Sequence, residues 1–256
     1  MKKNLFFGLL SLLVLFPSCN LKATINIKKD ASGTATATVA VDKMLLDFVY
    51  DLQSTMAAEP VERSAMITEE MVRKGLEKSQ TVKLTSFKTV DQTDTNLTVG
   101  FSDINSVIEE AQTGVREKGT ISRDELENIV NFTNTTGKYK FIFYLDRSNF
   151  AKLVSILPEK ATPLVTMFGP SLDENNPVTR EDYYEFLNEA FSAYETPDRI
   201  RKMVDEAKMT LRVNTEGQIL SQKGGRIENA NTVVFEIPLM DFILLENPIN
   251  LEVTFN

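Results

Sequence analysis

The chain has 256 residues, 28 Lys and Arg against 36 Asp and Glu, a formal net charge of −8, no histidine and one cysteine. The lack of histidine excludes Ser-His and Cys-His nucleophile pairs and histidine-dependent zinc sites, and a lone thiol excludes an internal disulfide. The acidic balance is opposite in sign to what a phosphate backbone attracts, so no nucleic-acid partner is expected.

Lys2 and Lys3 precede an apolar run from Leu5 to Phe16, which has the length of a secretory signal core and is too short to span a bilayer comfortably. Phe16-Pro17-Ser18-Cys19 follows, so the sole thiol sits directly after the run. The segment resembles a bacterial lipoprotein signal peptide, with Ser18 as the small residue before the cysteine; Phe16 and Pro17 depart from the usual lipobox. The resemblance implies cleavage after residue 18, a diacylglycerol on the Cys19 sulfur and an acyl chain on its new amine. Two or three chains anchor stably where one holds only marginally. The alternative is an uncleaved signal anchor, or an N-terminal helix in which Cys19 is a small buried hydrophobe. Asn20 is not the aspartate that resembles an inner-membrane retention signal, which favours the outer membrane of a bacterial envelope. Residues 1–18 are read as the signal peptide, 19–23 as a lipidated tether and 24–256 as one domain. Beyond the acyl groups on Cys19 no cofactor is expected.

Ile25 and Ile27 alternate with polar neighbours, Asp30-Ala31-Ser32-Gly33 supplies turn chemistry, and Ala35, Ala37, Val39 and Val41 recur with period two, predicting a hairpin. Asp42 caps a helix carrying Met44, Leu45, Phe48, Val49 and Leu52, closed by Pro60, and Thr68 starts a short charged one. Strands are predicted over 82–90 and 97–101. Asp103 then caps a helix with Ile104, Val107, Ile108 and Ala111, and Ser122 with Glu125 forms a capping box ahead of a helix containing Leu126, Ile129 and Val130. Residues 137–146 read as a strand whose second half is apolar on both sides. From about 148 to 207 the pattern is a helical insertion, with firm starts at Thr179 and at Thr196-Pro197. Met209, Leu211 and Val213, Ile219, Val233 to Ile237 and Ile249 to Phe255 then predict an antiparallel meander. The fold class is α+β: an antiparallel sheet from N- and C-terminal strands, with helices on one face.

Adjacent acids, Glu69-Glu70, Glu109-Glu110 and Asp124-Glu125, fall at helix starts or on polar faces and are read as solvated. The polar loop 172–176 lacks the alternating ligands of a calcium loop, and Gln222 to Arg226 is a tight turn rather than a phosphate cradle. No catalytic constellation emerges, so a non-enzyme is expected. The stretch 162–172 combines Pro163, Gly169 and Pro170 with Leu164, Val165, Met167, Phe168 and Leu172, apolar residues that a solvent loop would not choose. It belongs to the core, or it forms a lid over an apolar cavity or a patch dipping into the membrane. Leu164, Met167 and Phe168, with Phe186 and Phe191 on the aromatic face of the helix after Thr179, are the candidate ligand-binding residues.

The opening hairpin beside the cysteine, with Gly33 in its turn, and the closing GQILSQKGGRIENANTVVFEIPL resemble LppM-type bacterial lipoproteins. That resemblance implies a START-like α/β fold and lipid or glycolipid binding, and it leaves the helical middle unaccounted for. The expected function is therefore that of a lipid-anchored envelope protein binding a hydrophobic ligand, a lipid or the membrane surface. The alternative is a structural module that binds another envelope protein.

Overall fold

The computed structural model describes residues 20–56, 67–77, 79–90, 93–107, 109–110, 129–155, 169 and 177–256. The signal segment and Cys19, Pro60, Ile108, Ala111, the Ser122–Glu125 capping pair with Leu126, residues 162–168 and Pro170, and the 171–176 loop lie outside them.

Alternation and turn chemistry build the first hairpin as expected. β1 (Asn20–Ile27) pairs antiparallel with β2 (Gly33–Ala40), and Asp30 accepts from the Ser32 amide at 2.9 Å, which fixes the turn. Strand structure begins at Asn20, so residues 20–23, expected as tether, already belong to the sheet. Asp42 accepts from the Met44 amide at 2.8 Å and starts α1 (Lys43–Met56), which buries Met44, Leu45, Leu46, Val49 and Tyr50. Thr68 caps α2 (Glu69–Leu76) through the Met71 amide. β3 (Val82–Thr89) and β4 (Asp94–Phe101) form the second hairpin.

Val130, expected in a helix, opens β5 (Val130–Thr135), which pairs with β6 (Lys138–Leu145). Asn131, Phe132 and Thr133 alternate against β6, and that tertiary pairing overrides the helical spacing of Ile129 and Val130. Three helices follow among the described residues: α3 (Arg147–Ser155), α4 (Arg180–Phe191) and α5 (Pro197–Glu206). The Thr179–Asp182 capping box at α4 is reciprocal, as its letters predict. After β7 (Lys208–Thr215), β8 (Ile219–Lys223), β9 (Arg226–Asn229) and β10 (Thr232–Pro238), a short buried helix α6 (Leu239–Leu244) precedes β11 (Ile249–Phe255).

The class is α+β, but the strands form two sheets rather than one. Sheet A has the order β3-β4-β2-β1-β7-β10-β9 and sheet B the order β5-β6-β11-β8. The expected meander is replaced by a chain that changes sheets: β7 lies in A, β8 in B, β9 and β10 in A, β11 in B. The crossing at Gly224-Gly225 needs a residue without a side chain, because a Cβ on Gly225 would lie 2.6 Å from the Phe235 ring and 2.8 Å from the Val234 carbonyl. β1 pairs parallel with β7, although 188 residues separate Asn26 from Asn214. One buried cluster unites the layers, drawing Val213 and Phe235 from sheet A, Phe141, Val253 and Phe255 from sheet B, and Leu187, Phe191, Ile200 and Phe242 from the helices. Among the described residues no helix is long and apolar enough to cross a membrane.

Candidate binding surface

Period two decides what sheet A shows to solvent. In β1 the odd residues Leu21, Ala23, Ile25 and Ile27 turn to the core side, leaving Lys22, Thr24 and Asn26 on the other face. β2 does the same with Ala35, Ala37 and Val39 against Thr34, Thr36 and Thr38, and β4 with Leu97 and Val99 against Asn96 and Thr98. Register then lines these residues up across strands. One row runs Lys88, Asn96, Thr38, Lys22, Thr210, Glu236; the next Ser86, Thr98, Thr36, Thr24, Arg212, Val234; the third Lys83, Gly100, Thr34, Asn26, Asn214, Thr232.

The rows are knit by side chains. Thr38 donates to Asn96 at 2.6 Å, and the Thr36 and Thr98 hydroxyls share a bond at 3.1 Å. In the third row Thr232 Oγ1 donates to Asn214 Oδ1 at 2.9 Å, Asn214 Nδ2 to Asn26 Oδ1 at 2.8 Å, and Asn26 Nδ2 to Thr34 Oγ1 at 2.8 Å. These three bonds run in one direction over four strands, so each amide has its orientation set by its neighbour. Arg212 grips Glu228 with both terminal guanidinium nitrogens and stands opposite Val234 in the ladder, a residue that is buried yet apart from the main core. That hydrogen bond holds the Glu228 carboxyl below its ordinary value, and Lys208 does the same for Glu236. Lys22, Lys83 and Lys88 have no ion-pair partner among the described residues.

The third row borders a cleft of about 350 Å³ where β1 and β7 end, lined among others by Asn26, Lys28, Thr34, Phe101, Asn214 and Glu216. Parallel neighbours leave a sheet in the same direction without a hairpin between them, and a gap opens between their exits. Here Glu216 ties the two exits together: its amide donates to the Ile27 carbonyl at 3.0 Å, and its carboxylate accepts from the Lys29 amide at 2.9 Å. Phe101 comes close because position 33 is glycine; a Cβ there would stand 2.6 Å from the ring and 1.9 Å from the Asn26 carbonyl.

The residues selected from sequence fall elsewhere. Cys19, Leu164, Met167 and Phe168 lie outside the described residues. Phe191 is 2% exposed and meets Phe48 edge-on at 5.0 Å, so it packs in the core. Phe186 is half-buried beside Tyr183, with ring centroids 6.1 Å apart. Glu110, read as solvated, instead accepts from the Ser79 hydroxyl at 3.1 Å and the Thr81 amide at 3.2 Å, fastening the entry to β3. Among the described residues no group of three acids or thiols is placed to hold a metal ion. The signal for the polar face was present in Thr34-Ala35-Thr36-Ala37-Thr38, whose threonines mark one side as clearly as its alanines mark the other.

No protein-family model matches the chain, and no curated protein matches it. Among solved structures it is similar to the NMR structure of the folded domain of LppM from Mycobacterium tuberculosis, at 11% identity, covering 93% of this chain and 90% of that one, with a TM-score of 0.41. A likeness at that level brings no ligand or activity to this chain.

Proposed function

We propose that this chain is a lipid-anchored protein of the bacterial envelope, at the outer membrane, that works by binding another envelope component rather than by catalysis. Cys19 is its attachment point and the polar face of sheet A its recognition surface. The observation that carries the reading is that face: three registered rows of hydroxyl, amide and charged side chains across the sheet. Its neighbour Asn20 is already in β1, so an acylated Cys19 holds the sheet directly at the bilayer.

Radiolabelled palmitate enters the wild-type chain and not Cys19→Ser; equal labelling overturns the anchor. A photo-crosslinking side chain at Thr36, in the middle of the face, yields adducts in envelope fractions, whereas the same group at Ser192, after α4, does not. Equal yields at both positions overturn the face.

A lipid or other apolar ligand held by Leu164, Met167 and Phe168 is the second reading, favoured by the apolar character of a Pro- and Gly-interrupted segment. Its test is native mass spectrometry of the purified chain. A retained lipid that is lost on Leu164→Asp supports it, and a ligand-free spectrum opposes it.

A further inference from the structure

We infer that the cleft between the ends of β1 and β7 binds a neutral saccharide unit of an envelope glycan. The inference rests on the anchored reading only for where such a glycan is met. Its volume of about 350 Å³ lies at the small end of ligand sites, which suits one or two sugar rings rather than a folded partner.

The lining chemistry selects the ligand class. Lys28 and Glu216 bring one positive and one negative charge, so a strongly anionic or cationic ligand meets a like charge on one side. A sugar hydroxyl both donates and accepts, and so does the wall. Asn26 and Asn214 each spend one N–H and one oxygen lone pair on the directional row, and each keeps one N–H and one lone pair for a ligand. Because neighbours set those orientations, little ordering remains to be done on binding. Phe101, which lies over Gly33 and packs partly against the core, adds an apolar aromatic edge to the cleft wall.

An extended peptide is disfavoured here by the topology. Peptide strands add to an open sheet edge, whereas β1 is paired on both sides, by β2 and β7, and β7 by β1 and β10. A lipid tail is disfavoured by the amides and charges of the wall.

The test uses the full chain in dodecylphosphocholine micelles, a detergent without a sugar headgroup, with maltotriose and chitotriose as probes. Saturation-transfer NMR shows transfer to ring protons of at least one saccharide, and titration shifts the side-chain amide signals assigned to Asn26 and Asn214. Glu216→Gln keeps an acceptor for the Lys29 amide and weakens binding about tenfold with an unchanged thermal midpoint, as expected for loss of a charge-assisted bond. Absence of transfer to both saccharides overturns the inference, as does binding unaffected by Glu216→Gln, or the same amide shifts produced by trialanine instead. If Cys19→Ser loses palmitate and still binds the saccharide, both readings stand. If the wild type takes up no palmitate and binds, the anchor alone falls; if it is labelled and does not bind, the site alone falls.

Discussion

Asn214 donates its side-chain amide to Asn26 at 2.8 Å across the parallel junction of β1 and β7. The bond joins the first strand to one that the chain reaches only 188 residues later, at the rim of the cleft. A solvent-facing neutral bond of this kind contributes about 0.5–1.5 kcal/mol. In a double-mutant cycle, Asn26→Ala and Asn214→Ala are therefore expected to be coupled rather than additive. Additive urea midpoints would mean that the bond does not operate in solution.

Phe191 separates a core role from a ligand-wall role. It is 2% exposed and meets Phe48 at 5.0 Å, the spacing of an edge-to-face aromatic pair. Phe191→Ala is expected to cost about 3–5 kcal/mol of folding stability, read from chemical denaturation. A loss below about 1 kcal/mol would place it on a solvent- or ligand-filled space instead.

Stability falls in acid through three surface pairs. Hydrogen bonds from Arg212, Lys208 and Lys140 hold Glu228, Glu236 and Glu252 below the ordinary glutamate value of 4.5. The folded chain thus binds fewer protons than the unfolded one over this range, so the contribution is complete above about pH 4.5 and disappears as pH drops through the lower folded values. Changing all three to glutamine is expected to flatten the thermal midpoint against pH below 4.5. An unchanged slope would assign acid sensitivity elsewhere.

At the alkaline end the reporter is Tyr194. Its hydroxyl donates to Asp51 at 2.6 Å, and this bond, with partial desolvation and the nearby carboxylates, pushes the phenol from 10 to about 12. Its stabilising share is present below pH 10 and is lost as the pH rises towards 12. The difference between wild-type and Tyr194→Phe phenolate absorbance should titrate near 12. A transition near 10 would show that the tie between α1 and the end of α4 is open.

Local chemistry was legible wherever one short stretch contained the whole reason for its structure. Thr179 with Asp182, Thr196 before Pro197, and Asp30 to Gly33 each carry their own hydrogen-bond partners or backbone constraint, and each is where the letters put it. Non-local pairing was not legible. Nothing around Ile25 announces that Val213 lies beside it, and the turn at Glu216-Gly217 looks like a hairpin although β7 and β8 enter different sheets. α6 was hidden for another reason: Leu239, Met240, Phe242, Ile243 and Leu244 are all buried, so no polar stripe marks a period. The cleft was missed because its members come from three distant segments, around 26–34, at 101 and at 214–216. Only register assembles them.

The interior position of β1 also determines how the protein bears mechanical load. β1 lies between β2 and β7, and Asn20 begins it immediately after the proposed attachment point. Tension applied through Cys19 would run along the strand and strain the ladders to Thr36 and Arg212 in shear, many hydrogen bonds at once, rather than peeling them open singly. A strand at the sheet's edge, or one reached through a slack linker, would unzip under the same pull. A pull on the N-terminal end would thus meet a strand held by ladders on both sides.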